Sequence, residues 1–220
     1  MPQPLKLSTP AGEVSGALQV PDQADALLVF AHGAGAGFDH KNMVSIADAW
    51  SRVGLATLRY NFPFIEAGER RVDSKEVTLD CIEAAVSFAG EISDLPVLLA
   101  GHSFGGRMNS HAWVERGVRG AGLIFCSFPL HGPKKPKVDR AAHLPEIDAP
   151  MLFLSGTRDD LADAQLLQQT VSALPQASLH WLETANHSYT VLKRTRTKAE
   201  DVFSEMAGYT ADFVQSVLAA

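Results

Sequence analysis

A chain of 220 residues that is 46% hydrophobic and 20% charged is long enough to bury the core of one sizeable domain and too apolar to stay disordered. Its net charge of −6, with no long basic run, excludes a surface built to track a phosphate backbone, so nucleic acid is not an expected partner. No apolar run reaches the roughly 20 residues of a membrane helix, and the opening "MPQPLKLSTPAGEVSG" lacks a basic stretch followed by an apolar one; no membrane association is expected, and the expected location is cytoplasmic.

In chain order, a hairpin is predicted from Leu5 to Ser8 and Glu13 to Val20, followed by "ALLVFAH" at 26–32, a continuous apolar run that ends in glycines. Such runs mark strands buried on both faces. Others occur at 54–60, 96–103, 120–128, 151–157 and 178–183. Helical patterns lie between them. Val77, Cys81, Ala85 and Phe88 fall on one helical face, and Val202, Met206, Tyr209, Phe213 and Val217 on another, with further helices predicted near 41–53, 105–117 and 161–174. Cys81 and Cys126 lie in no metal-ligand or redox spacing and are expected as reduced core residues. The alternation predicts a single α/β domain over 1–220, with a mostly parallel sheet between helical layers and its ligand site at the carboxyl ends of the strands.

At one such end stands GHSFGG, residues 101–106. It fits G-x-S-x-G between a strand and a helix, the context in which a sharp turn lifts a serine hydroxyl clear of the sheet. Ser103 is therefore a candidate nucleophile, and it needs a base and a group to orient that base. Of eight histidines, His187 in "ETANHSYT" follows the last predicted strand and is best placed; His40, His111, His143 and His180 read as structural or exposed. The acid is expected in "SGTRDDLAD", with Asp159 favoured over Asp160, since one of the pair would cap the following helix. Oxyanion donors are expected from the backbone N–H of Phe104 and, in "HGAGAG" at 32–37, from that of Ala34, with His32 bracing the loop. Phe62, Phe64, Arg70 and His131 are candidate substrate-binding residues.

These segments together, with "FAHGAGAGFDH", "LRYNFPF", "LFLSGTRDD" and "LHWLETANHSY" among them, resemble the α/β-hydrolase superfamily, in particular its small cap-free branch of dienelactone-hydrolase-like proteins. The resemblance implies a three-layer fold with an eight-stranded sheet, and Ser103, Asp159 and His187 as a catalytic triad that needs neither cofactor nor metal. It implies no particular substrate. A dienelactone hydrolase proper would carry cysteine where this chain has Ser103. The expectation is a serine hydrolase of carboxylesterase or thioesterase type, acting on a small-molecule ester. The branch also contains subunits of eukaryotic complexes, so a non-catalytic binding or scaffold protein is the alternative. Five prolines between 129 and 150 argue against a helical cap and predict an open pocket.

Overall fold

Strands whose residues are buried along their whole length form the middle of an eight-stranded sheet in the computed structural model, which describes residues 2–219. Two of these, β3 (Ala26–Ala31) and β4 (Leu55–Tyr60), follow the hairpin of β1 (Gln3–Thr9) and β2 (Gly12–Gln19). Next come β5 (Val97–His102), β6 (Leu123–Cys126), β7 (Met151–Gly156) and β8 (Ala177–Leu182). The spatial order is β1-β2-β4-β3-β5-β6-β7-β8. All neighbours from β4 to β8 pair in parallel, and β2 is antiparallel to both β1 and β4.

A sheet of this kind must be covered on both faces. The helices are α1 (Lys41–Arg52), the short α2 (Pro63–Glu66), α3 (Lys75–Ile92), α4 (Phe104–Arg116), α5 (Ala164–Ser172) and α6 (Val202–Leu218). Leu79 of α3, Met108 of α4 and Leu167 of α5 join the core on one face. Met43 and Trp50 of α1 and Met206 of α6 join the core on the other. There the Trp50 indole N–H donates to the Thr210 hydroxyl at 3.0 Å, tying α1 to α6. Burying such side chains contributes roughly 1.5–3 kcal/mol each before conformational entropy is set against it.

The boundaries follow from local chemistry. Ser74 caps α3 by accepting from the Val77 N–H, and Asp201 caps α6 through the Phe203 and Ser204 N–H groups. The cap of α5 is Asp163, which accepts from the Leu166 N–H; neither Asp159 nor Asp160 serves, and the helix starts later than the predicted 161. Strand β6 is shorter than its apolar run because Ser127, at φ 55°, turns the chain away. Between β6 and β7 the proline-rich segment holds only two 3₁₀ turns, Asp139–Ala141 and Leu144–Glu146. Leu130, Leu144 and Ile147 anchor it to the core. It forms no helical cap, and the carboxyl ends of the central strands stay open.

Candidate active site

The strand-to-helix turn at Ser103 decides the geometry of the site. Ser103 has φ 50° and ψ −113°, a conformation non-glycine residues adopt rarely and at a cost of order 1–3 kcal/mol. The turn is tight enough that β5 and α4 touch through their backbones. A Cβ on Gly105 would lie 2.5 Å from the Ala31 carbonyl oxygen, and one on Gly101 would collide with the Gly106 backbone. Ser103 occupies the N-cap position of α4, yet its hydroxyl makes no capping bond. It points to a histidine instead.

His187 Nε2 lies 2.8 Å from Ser103 Oγ, and His187 Nδ1 lies 2.9 and 2.8 Å from the two carboxylate oxygens of Asp159. An ionised carboxylate can only accept, so Nδ1 carries the ring proton and Nε2 is left to accept from the serine hydroxyl. Asp159 is buried and Asp160 exposed; the difference arises because the Asp159 N–H bonds the Gly156 carbonyl and its Oδ1 accepts the Leu161 N–H at 2.8 Å, folding the side chain inward.

The loop bearing His187 is fixed at several points. Asn186 Oδ1 accepts from the Ser188 and Thr190 N–H groups, and Asn42 Nδ2 donates to the Ser188 carbonyl at 2.9 Å. His102 Nε2–H donates to the His187 carbonyl at 3.1 Å. His102 sits inside GHSFGG, yet no motif position marks it out. Desolvation and the neighbouring His187 push its pKa down to about 4, so it holds this bond as a neutral ring.

His32 braces the glycine loop, as expected. Its Nδ1–H donates to the Gly33 carbonyl at 2.7 Å, while Nε2 accepts the Phe62 N–H at 2.9 Å. Burial lowers its pKa to about 4, which keeps the ring neutral and Nε2 able to accept. This holds Ala34 at the rim of two hollows that meet at Ser103. The Ala34 N–H has no backbone acceptor among the described residues. Phe104 opens α4, so its N–H has no intrahelical acceptor either. Two free donors thus flank the serine.

The hollow of about 270 Å³ is bordered by Gly33, His40, Asn42, His102 and His187. The other, of about 260 Å³, is bordered by Phe104, Arg107, Pro129, Pro133, Arg140 and Leu161. All four expected substrate-binding residues, Phe62, Phe64, Arg70 and His131, are absent from both. Phe62 and Phe64 are fully buried and stack edge-on against Phe104, with ring centroids 5.6 and 6.3 Å away, so they support the wall from behind. Arg70 is exposed midway along the loop after α2 and borders neither hollow. His131 spends both ring nitrogens on backbone, Nδ1–H on the Gly132 carbonyl and Nε2 on the Asp163 N–H. It shapes the proline-rich loop and borders only an adjoining hollow.

The remaining histidines are structural. His40 Nδ1 caps α1 and His180 stacks on Tyr209. His143 Nε2–H donates to the Ser110 hydroxyl oxygen, whose own proton goes to the Arg107 carbonyl, and His143 stacks on His111 at 3.8 Å. Cys81 and Cys126 are buried, and burial pushes both thiols up to about 12.

Similar architectures occur in solved structures. A serine hydrolase without a lid from Xanthomonas campestris aligns over 98% of this chain and 94% of its own, with a TM-score of 0.75 and 18% identity. Est1E from Butyrivibrio proteoclasticus, solved with ferulic acid, aligns over 98% and 100%, with a TM-score of 0.76 and 16% identity. A dienelactone hydrolase from Anabaena variabilis aligns over 98% of both chains, with a TM-score of 0.74 and 18% identity. These share the fold of this chain. Residues 24–215 match the α/β-hydrolase domain, and the chain belongs to the α/β-hydrolase family.

Proposed function

We propose that this protein is a serine hydrolase that cleaves a small carboxylic ester or thioester through an acyl-enzyme. The observation that carries this reading is the unbroken chain of hydrogen bonds from Ser103 Oγ through the His187 ring to Asp159. As Ser103 Oγ attacks the carbonyl carbon, His187 Nε2 takes the hydroxyl proton and Asp159 stabilises the resulting imidazolium. The carbonyl oxygen, now negative, faces the Phe104 and Ala34 N–H groups; one such donor contributes roughly 3 kcal/mol to lowering the barrier. On collapse, the carbon–oxygen or carbon–sulfur bond breaks and Nε2 returns the proton to the leaving group. Water then repeats the sequence on the acyl-serine, releasing the acid and restoring Ser103.

A fluorophosphonate probe tests this. The native protein is expected to be labelled at Ser103, Ser103→Ala is expected to remain unlabelled, and Asp159→Asn is expected to lose about 10³-fold or more in kcat on 4-nitrophenyl esters because its ring tautomer is wrong. Equal labelling of native and Ser103→Ala protein, or none of either, removes the reading. Family membership alone would also fit a non-catalytic binding protein, but the serine–histidine bond and the two free N–H donors beside it favour turnover.

A further inference from the structure

The two hollows at Ser103 have different chemistry. His187 borders only the first, and under the proposed mechanism its Nε2 must deliver a proton to the leaving group. The leaving group therefore occupies the His187 side, and the acyl group occupies the hollow bordered by Phe104, Arg107 and Arg140.

That acyl hollow holds two arginines and no acid. Arg107 stands one helical turn beyond Ser103 on α4, its N–H bonded to the Ser103 carbonyl, so both residues share a helix face. Arg140 reaches in from the proline-rich loop, where one guanidinium N–H donates to the His131 carbonyl at 3.0 Å. Both are half-buried. The arginine ion pairs among the described residues belong to Arg116 and Arg196; neither Arg107 nor Arg140 has one. Desolvation, then the charge of Arg140, lowers the pKa of Arg107 from its ordinary value. Two cations brought together without a counter-charge in an otherwise acidic protein is an unfavourable arrangement that a bound anion reverses.

We propose that Arg107 and Arg140 form a carboxylate subsite, and that the acyl group of the substrate ends in a carboxylate, making the substrate the half-ester or half-thioester of a short dicarboxylic acid. This rests on the serine-hydrolase reading for the position of the acyl group. A guanidinium presents paired N–H groups that match the two oxygens of a carboxylate, and two such forks fix both the depth and the direction of the chain. A terminal carboxylate held there leaves the scissile carbonyl beside Ser103. The adjoining hollow, shared through Gly132, Pro133 and Arg140, holds Lys135 and also Lys137, which is paired with Asp139.

The test compares 4-nitrophenyl hemiadipate with 4-nitrophenyl hexanoate, whose acyl groups have the same number of carbons and differ in ending in a carboxylate or a methyl group. The native protein is expected to favour the hemiadipate by about tenfold or more in kcat/KM, with the preference shrinking as salt rises. In Arg107→Gln with Arg140→Gln the ratio is expected to fall close to one, and Arg107→Lys is expected to lie between. A ratio is unaffected by the fraction of protein that is folded, so loss of stability cannot imitate the result. Equal turnover of the two esters by the native protein, or a preference that survives in the double variant, overturns the subsite and leaves the hydrolase reading intact. If neither ester turns over and fluorophosphonate fails to label Ser103, the hydrolase reading itself falls. The subsite is then judged by protection of the native fold by adipate, read as a rise in melting temperature absent with hexanoate and absent in the double variant; no such rise overturns it as well.

Discussion

Ser103 is held in a left-handed conformation by contacts that leave no room for adjustment. Gly105 packs against the Ala31 and His32 carbonyls, so Gly105→Ala would force β3 and α4 apart. It is expected to cost about 2 kcal/mol in urea unfolding and to lower activity further, because the same shift moves Ala34 relative to Ser103. Residues whose position depends on a named turn or strand end were legible in the sequence: Ser103 from its glycines and flanking elements, His187 from the end of the last strand, Asp159 from the turn after β7. Phe62 and Phe64 were not, because an aromatic residue in a loop after a strand reads the same whether it faces the pocket or stands one layer behind it; burial against His32 and Phe104 is a tertiary fact. His102 was hidden for another reason. Its role is to hold a backbone carbonyl 85 residues away in the chain, and no spacing rule reaches so far.

At the level of elements, the segment after His187 is strapped to α6 by a buried ion cluster. Glu205 accepts from Arg196 Nη2 at 2.5 Å and also from Lys198 Nζ. Arg196 in turn donates to the Glu183 carbonyl at 2.8 Å, at the base of the loop that carries His187. The Arg196 and Glu205 side chains are 5% and 3% exposed, so removing the Glu205 charge leaves Arg196 without a counter-ion out of water. Glu205→Gln is expected to cost about 3 kcal/mol in urea unfolding. The strands were legible because burial on both faces writes a continuous apolar run, whereas this strap was not: a Glu in an amphipathic helix and an Arg in an irregular segment each look solvated until the chain closes.

At the scale of the whole molecule, Glu66 joins three separated pieces of the chain. It accepts from the Ser15 N–H and hydroxyl, from Asn61 Nδ2 and from Lys6, linking the β1–β2 hairpin to the end of β4. Desolvation alone would raise its pKa, but the bonds from Asn61, Ser15 and Lys6 outweigh this and lower it from 4.5 to about 2. A carboxylate depressed in the folded state stabilises the fold above its unfolded pKa and stops doing so as pH falls through the folded value. Stability from this group is therefore full above about pH 4.5 and is lost between there and about pH 2. Glu66→Gln is expected to flatten the acid limb of stability over that window, measured by urea unfolding at several pH values. The mostly parallel sheet and the absence of a helical cap followed from alternation and proline content, while its eight strands were what the resemblance implied. The docking of the hairpin through Glu66 did not, since it depends on residues 51 positions apart meeting at a strand end.

The proline-rich segment anchored by Leu130, Leu144 and Ile147 leaves the entrance to Ser103 uncovered. With no helix folded over Ser103, the proposed hydrolase would sort its substrates by the fixed charges at the doorway, those of Arg107 and Arg140, and not by the fit of a lid.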